Sequence, residues 1–364
     1  MTDSLGLMFR VTSFGESHGR CVGVVVEGCP AGLTLSTQHI QVELDRRRPG
    51  KSGLASSREE EDQVEILSGV FNGFTTGAPI CALVWNRDRD SSEYERLIST
   101  PRPGHADWTA HVRYGGYNDY RGGGRFSGRI TAGFVMAGAV AKRLLMESLG
   151  VEVLAHSKEI GGIVSPDLSV DEIRGNVEGN PVRCGSPEAA SRMAERIREV
   201  ASAGDSVGGV VECFAINVPV GLGEPVFGSL EGELALALYS IPAVKAVEFG
   251  VGRGYSALKG SEGNDAFVLK GGKVVTVTNN AGGILGGIST GMPIRCAVTF
   301  KPTSSIARKQ KTFDLSTFEE TSIEVRGRHD PCIVPRAVPV VEAMVAVVLA
   351  DQAIRTGFVQ RVMG

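Results

Sequence analysis

Residues 14–20 read FGESHGR, and Gly15-Glu16-Ser17-His18-Gly19 has the G-x-S-x-G spacing of a serine nucleophile on a tight turn between a strand and a helix. Upstream, MFRVTSF suits a strand. Downstream, RCVGVVVEGCPAGL is a β-branched run closed by Gly and Pro, so it reads as a second strand and the required helix is missing. A glycine-flanked turn with solvated Ser17 and His18 fits the same letters.

Four further stretches carry chemistry. LDRRRPGKSG puts Arg46, Arg47, Arg48 and Lys51 where a helix stops, either as a solvated end complementing the helix dipole or as a clamp for carboxylate or phosphate. In STPRPGHADWTAHVRYGGYNDYRGGGRFSGRITAG, Pro101, Pro103 and Gly104 stiffen the loop bearing His105. The glycines at 122–124 let backbone N–H groups approach an anion just before a helix, and Arg125, Ser127 and Arg129 add side-chain donors. KPTSSIARK offers Lys301, Thr303, Ser304 and Ser305, which suits a phosphate tail. VRGRHDPC sets Asp330 beside Arg326, Arg328 and His329, and a carboxylate so placed stays ionised and acts as a base if desolvated and aimed. NNAGGILGGISTG is a Gly-rich stretch that matches neither G-x-G-x-x-G nor a P-loop and suggests a close backbone approach to a flat ligand or another subunit. Taken singly, each stretch also fits a solvated turn or a surface ion pair.

The elements that position these residues are legible from periodicity and caps. Ser36 caps a helix over TQHIQVELDRRR that Pro49-Gly50 stops, and GRITAGFVMAGAVAKRLLMESLG is a helix closed by Gly150. Ser186-Pro187 and Ser229 open two more, and a buried helix covers about 338–354, interrupted by Glu342 and Asp351 and too short to cross a bilayer. Strands are expected in VEILSGVF, PICALVW, GGVVECFAINVPV, VKAVEFGVG, KVVTVTN and PIRCAVTF. No strict βαβ period runs through them, so a mixed α/β or α+β body in one domain, residues 1–364, is expected. Irregular stretches at 45–62, 87–129, 279–291 and 301–331 are longer than a compact domain keeps without functional reason.

Composition narrows the classes. A net charge of −3 gives no global attraction to nucleic acid, so any anion site is local. The seven cysteines form no C-x-x-C and the six histidines show no H-x-x-x-H, which argues against a disulfide framework and a metal enzyme. With no basic n-region or long apolar N-terminal segment, a cytoplasmic protein is expected. The 48 glycines are about twice the usual share and sit in the loops above.

Taken in order, FRVTSFGESHG, LDRRRPG, RPGHADWT, YRGGGRFSGR, NNAGGILGGIS, KPTSSI and GRHDPC resemble the chorismate synthase family from about residue 9 to residue 354. The resemblance implies an α+β fold, a β-α-β sandwich assembled as a homotetramer. The activity it implies is conversion of 5-enolpyruvylshikimate 3-phosphate to chorismate by 1,4-elimination of phosphate, dependent on reduced FMN without net redox change. By motif, His18 would protonate or stabilise the leaving phosphate, His105 would set the protonation of the reduced flavin, and Asp330 would assist proton removal. Two histidines of ordinary pKa, ~6.5, suit such tasks at neutral pH. Arg125, Phe126, Ser127, Ala243, Gly286, Lys301, Pro302, Thr303, Ser304, Ser305 and Arg328 would hold FMN, and Ser17, Arg47 and Arg129 the substrate.

The chain departs from the commoner family pattern at Gly53, where arginine is frequent, at Phe126, where serine is usual, and at Gly128 and Ile130, where alanine and glutamate are usual. Lys51 or Arg58 would replace the arginine. Without a strand–helix dinucleotide fingerprint or a segment after the last helix, a monofunctional enzyme supplied with reduced flavin by a separate reductase or NADPH-dependent reductant is expected. A serine hydrolase acting through Ser17 and a noncatalytic anion-binding relative remain as alternatives.

Overall fold

The computed structural model describes residues 3–48, 54, 61–87, 94, 98–325 and 329–363. Two antiparallel five-stranded sheets flank a layer of helices. The first runs Ser4–Leu5, Arg10–Gly15, Cys21–Glu27, Ile80–Trp85, Val64–Ser68 in spatial order. The second runs Val244–Phe249, Ile294–Phe300, Gly209–Ile216, Glu152–Ile160, Ile163–Val164. Alternation explains the first sheet's inner face: Val22, Val24 and Val26 of CVGVVVE are all buried against the helices.

Helices Thr131–Leu149 and Val334–Arg355 form the centre of the layer, with Thr37–Arg47 and Leu230–Tyr239 beside them. Their small residues let backbones touch: a Cβ on Gly138 would lie 2.4 Å from Ala343 Cα, and one on Gly133 would lie 2.9 Å from Gly23 O of the first sheet. The C-terminal helix starts at Val334, four residues before the expected 338, and has 22 residues. That is long enough and apolar enough to span a bilayer, contrary to expectation, but its most apolar window is 94% buried inside the protein. Two prolines obscured its start. Pro335 sits in the first turn, where a missing N–H costs nothing, and Pro339 cannot bond the Pro335 carbonyl, which accepts from Arg183 Nη1 at 2.8 Å instead.

The carboxylates that interrupt this helix are buried and paired. Burial pushes the Glu342 carboxyl up, but Lys142 and Arg46 outweigh it and hold it at about 2. Asp351 Oδ1 accepts from the backbone N–H groups of Leu7, Met8 and Phe9 at 3.0, 2.6 and 2.8 Å, tying the N-terminal segment down. Strand Glu152–Ile160 escaped the sequence reading because polar His156 and Ser157 break its apolar pattern. Both are buried with partners: His156 Nε2 lies 3.2 Å from Glu212 Oε2, and Ser157 Oγ donates to Val182 O at 2.6 Å.

Candidate active site

Ser127 caps a short 3₁₀ turn, Gly128–Ile130, that leads into helix Thr131–Leu149, its Oγ accepting from Arg129 N at 3.3 Å. That helix N-terminus opens onto a cavity of about 650 Å³, within the range of small-molecule sites. Arg47, Arg102, Arg125, Arg129, Lys245, Lys301 and Arg336 line it against Asp107, Asp119 and Asp330. Helix dipole and side chains therefore share one sign, and the cavity attracts anions.

One wall is the triple glycine. Gly122, Gly123 and Gly124 all have positive φ, at 60, 81 and 51°. Behind it lies the Gly-Glu-Ser-His-Gly turn: Ser17 N–H donates to Gly124 O at 3.2 Å, and a Cβ on Gly122 would stand 2.1 Å from His18 Nδ1 and 2.8 Å from Ser17 Oγ. Ser17 and His18 are thus buried directly beneath the loop, with the His18 ring edge-on to Tyr94 at 5.1 Å. Strand Cys21–Glu27 follows them, so the helix that a nucleophile turn needs is absent.

The opposite wall interlocks two loops. Lys301 Nζ donates to Gly104 O at 2.5 Å and to Ser304 Oγ at 2.8 Å, and Ser304 Oγ donates to Gly104 O at 3.0 Å. Gly104 has φ +72, and a Cβ there would meet Ser304 Oγ at 2.6 Å. His105 Nδ1 lies 3.1 Å from Pro103 O, which can only accept, so this nitrogen carries the proton and Nε2 accepts from Ser305 Oγ at 2.8 Å. Burial, then the charges of Arg102 and Lys301, push the imidazole down to about 4. The ordinary value assumed from sequence is therefore corrected: His105 is neutral at pH 7, with Nε2 the atom able to take a proton. Histidine-selective NMR of the ligand-free protein should find one imidazole titrating near pH 4 that moves upward when FMN is added. A His105 midpoint near 6.5 without ligand would contradict this assignment.

Arg125 lines the cavity, but its guanidinium is engaged elsewhere. Nη1 donates to Ser13 Oγ and Gly15 O at 3.2 and 3.3 Å, Nη2 to Ser13 O and Asp3 Oδ1 at 2.8 Å each, and Nε to Asp3 Oδ1 at 3.2 Å. Binding an anion through this side chain requires Asp3 to let go. Asp330 Oδ2 accepts from Arg336 Nη1 at 2.5 Å, and Arg336 Nε donates to Arg47 O at 3.2 Å.

Phe126, Ser127, Ala243, Pro302 and Thr303 line the cavity as well, Ala243 with a left-handed φ of 73°. The Thr303 hydroxyl is buried with no hydrogen-bond partner among the described residues. Gly286 does not reach the cavity. It lies in the hairpin packed on Ser229 and Leu230, whereas the other end of helix Leu230–Tyr239, roughly 14 Å away along the axis, forms the cavity wall. Arg328, Arg326, Lys51, Gly53 and Arg58 fall outside the described residues.

Sequence reasoning missed Arg102, Asp107, Asp62, Asn86 and Arg336. Arg102 is buried and forms a fork with Asp107, Nε to Oδ2 at 2.8 Å and Nη2 to Oδ1 at 2.9 Å. Burial would raise the Asp107 carboxyl, but the Arg102 bonds hold it below the usual range. Asp62 ends the acidic run EEED, which reads as solvated surface, and nothing local marks Asn86.

The family model described as chorismate synthase matches residues 9–354. A chorismate synthase of Dehalococcoides mccartyi is 56% identical over 363 residues, covering 100% of both chains. One from Methanosarcina mazei is 55% identical over 354 residues, covering 97% of this chain and 96% of its own. A solved structure titled as chorismate synthase superimposes with a TM-score of 0.78 at 32% identity, covering 96% of this chain and 93% of that one.

Proposed function

The chain belongs to the chorismate synthase family, and we propose that it eliminates phosphate from 5-enolpyruvylshikimate 3-phosphate to give chorismate, with reduced FMN bound in the same cavity. The observation that carries the reading is the cationic cavity at the N-terminus of helix Thr131–Leu149, with His18 beneath one wall and His105 in the other. A substrate with one phosphate and two carboxylates matches that charge.

The residues present fit a flavin phosphate. Thr303 has a buried hydroxyl awaiting a partner, and Lys301, Ser127 and the helix N-terminus lie on the same cavity. Reduced FMN, when bound, supplies electron density to an elimination with no net redox change. His18 handles a proton at the leaving phosphate, with its Nδ1 side facing Gly122, where a Cβ would not fit. His105 keeps its own proton on Nδ1 and turns Nε2, which accepts from Ser305 Oγ when no ligand is bound, to the flavin as that hydroxyl rotates away. Asp330, oriented by Arg336, assists removal of the ring proton. Arg47 and Arg129 take the substrate's anionic groups.

The reading includes a monofunctional, cytoplasmic homotetramer. The apolar side chains of Phe227, Phe267 and Leu269 are 92, 64 and 78% exposed, and a two-stranded hairpin such as 267–276 needs a covering surface. Gly286, away from the cavity, suits a subunit contact. Under anaerobic conditions, dithionite-reduced FMN or an added flavin reductase should start turnover at once, while oxidised FMN with NADPH alone should yield little chorismate. Rapid turnover on NADPH alone would overturn monofunctionality. Failure of substrate to perturb the reduced-flavin spectrum would favour a noncatalytic anion-binding relative.

A further inference from the structure

Arg47 and Arg129, read above as substrate-side, share one buried carboxylate. Asp62, with its side chain 1% exposed, accepts from Arg47 Nη1 at Oδ2 (3.2 Å) and from Arg129 Nη1 at Oδ1. Its backbone has a left-handed φ of 44°, braced by Gln41, whose Nε2 donates to Asp62 O at 3.2 Å while its Oε1 accepts from Val64 N at 3.0 Å. Arg129 is held from a second side. Asn86 Oδ1 accepts from Arg129 Nε at 3.0 Å, and Asn86 Nδ2 donates to Glu16 O and Gly19 O, both at 3.0 Å, which are carbonyls of the turn carrying Ser17 and His18.

Asp62, Asn86 and Gln41 do not line the cavity, whereas both arginines do. Two buried guanidinium groups side by side repel each other and carry a large desolvation cost, and a carboxylate between them relieves both. We propose that Asp62 is a positioning residue. It spaces and aims Arg47 and Arg129 at a carboxylate or phosphate of the substrate, and Asn86 locks that pair to the His18 turn, so that anion recognition and proton transfer are aligned as one unit. The inference rests on the substrate-side reading of Arg47 and Arg129.

The test uses the full chain, with kcat expressed per FMN-competent site and substrate affinity measured separately. Asp62→Asn keeps the shape but removes the charge. It should lower kcat about 10- to 100-fold, the scale of a misaligned reacting pair, and also weaken substrate binding, because the two arginines lose their common aim. A purely structural role would instead reduce the competent fraction and leave kcat per site alone. Gln41→Ala, which removes the brace together with one exposed bond from Gln41 Nε2 to Asp45 Oδ1 at 2.9 Å, should fold and lower kcat about threefold or more in the same pattern, so a variant that fails to fold at Asp62 does not end the test. Wild-type kcat per site in Asp62→Asn, or in Gln41→Ala if the former is unfolded, would overturn the proposal. Arg129→Gln separates the premise: if it binds substrate like wild type, the substrate-side reading itself fails, whereas lost binding there with wild-type kcat in Asp62→Asn defeats the positioning role alone.

Discussion

Replacing His18 by alanine is expected to lower kcat about 100-fold or more, the scale of a lost positioned acid or base, while FMN still binds. His18 is 3% exposed and lies under Gly122, whereas the cofactor candidates Lys301, Thr303 and Ser305 belong to a different segment on another wall, so removing the imidazole leaves them in place. Ser17→Ala should retain appreciable turnover, because the neighbouring serine is buried beneath the glycine loop and has no part in proton transfer. If Ser17 were a nucleophile, the order would reverse and Ser17→Ala would lose nearly everything. Steady-state kinetics with reduced FMN and a flavin-binding titration on both variants decide the matter. Wild-type turnover in His18→Ala would remove His18 from the chemistry, and a covalent adduct on Ser17 would restore the hydrolase alternative.

Gly122→Ala should cost as much activity as His18→Ala although His18 is still present. The new Cβ would stand 2.1 Å from His18 Nδ1 and 2.2 Å from its Cε1, far inside contact distance, so the imidazole must leave its seat. The backbone at φ +60° adds about 1–2 kcal/mol of strain for any residue with a Cβ, so a lower Tm is also expected. Gly128→Ala is the matched control. No atom lies within 4 Å of a Cβ there, its φ is not positive, and Arg47 Nη2 contacts only its carbonyl, so activity and Tm should remain close to wild type. Comparing kcat and melting temperature of the two variants tests whether the loop seats His18. Normal kcat in Gly122→Ala would mean that the loop and the histidine are uncoupled.

What the sequence determined by itself is what local bonding and periodicity encode. Ser186 and Ser229 each accept a helix N–H three residues on, Gly150 closes its helix with a left-handed φ, and the valines of CVGVVVE alternate inward, all within a few residues of chain. The order of seven motifs likewise carries the family without any tertiary contact, because each motif is contiguous. Tertiary structure alone decided which charges meet. Asp62 joins Arg47 and Arg129 from 15 and 67 positions away, and His105 is neutral because Arg102, Lys301 and burial converge on it from two loops. Arg125 spends its donors on Asp3 and the first sheet, and Gly286 lies at the far end of a helix from the cavity that its motif suggested. The physical reason is range: a cap or a strand is written in neighbouring residues, while the strength and sign of an electrostatic contact depend on distance and on how much water is excluded, and only packing sets either.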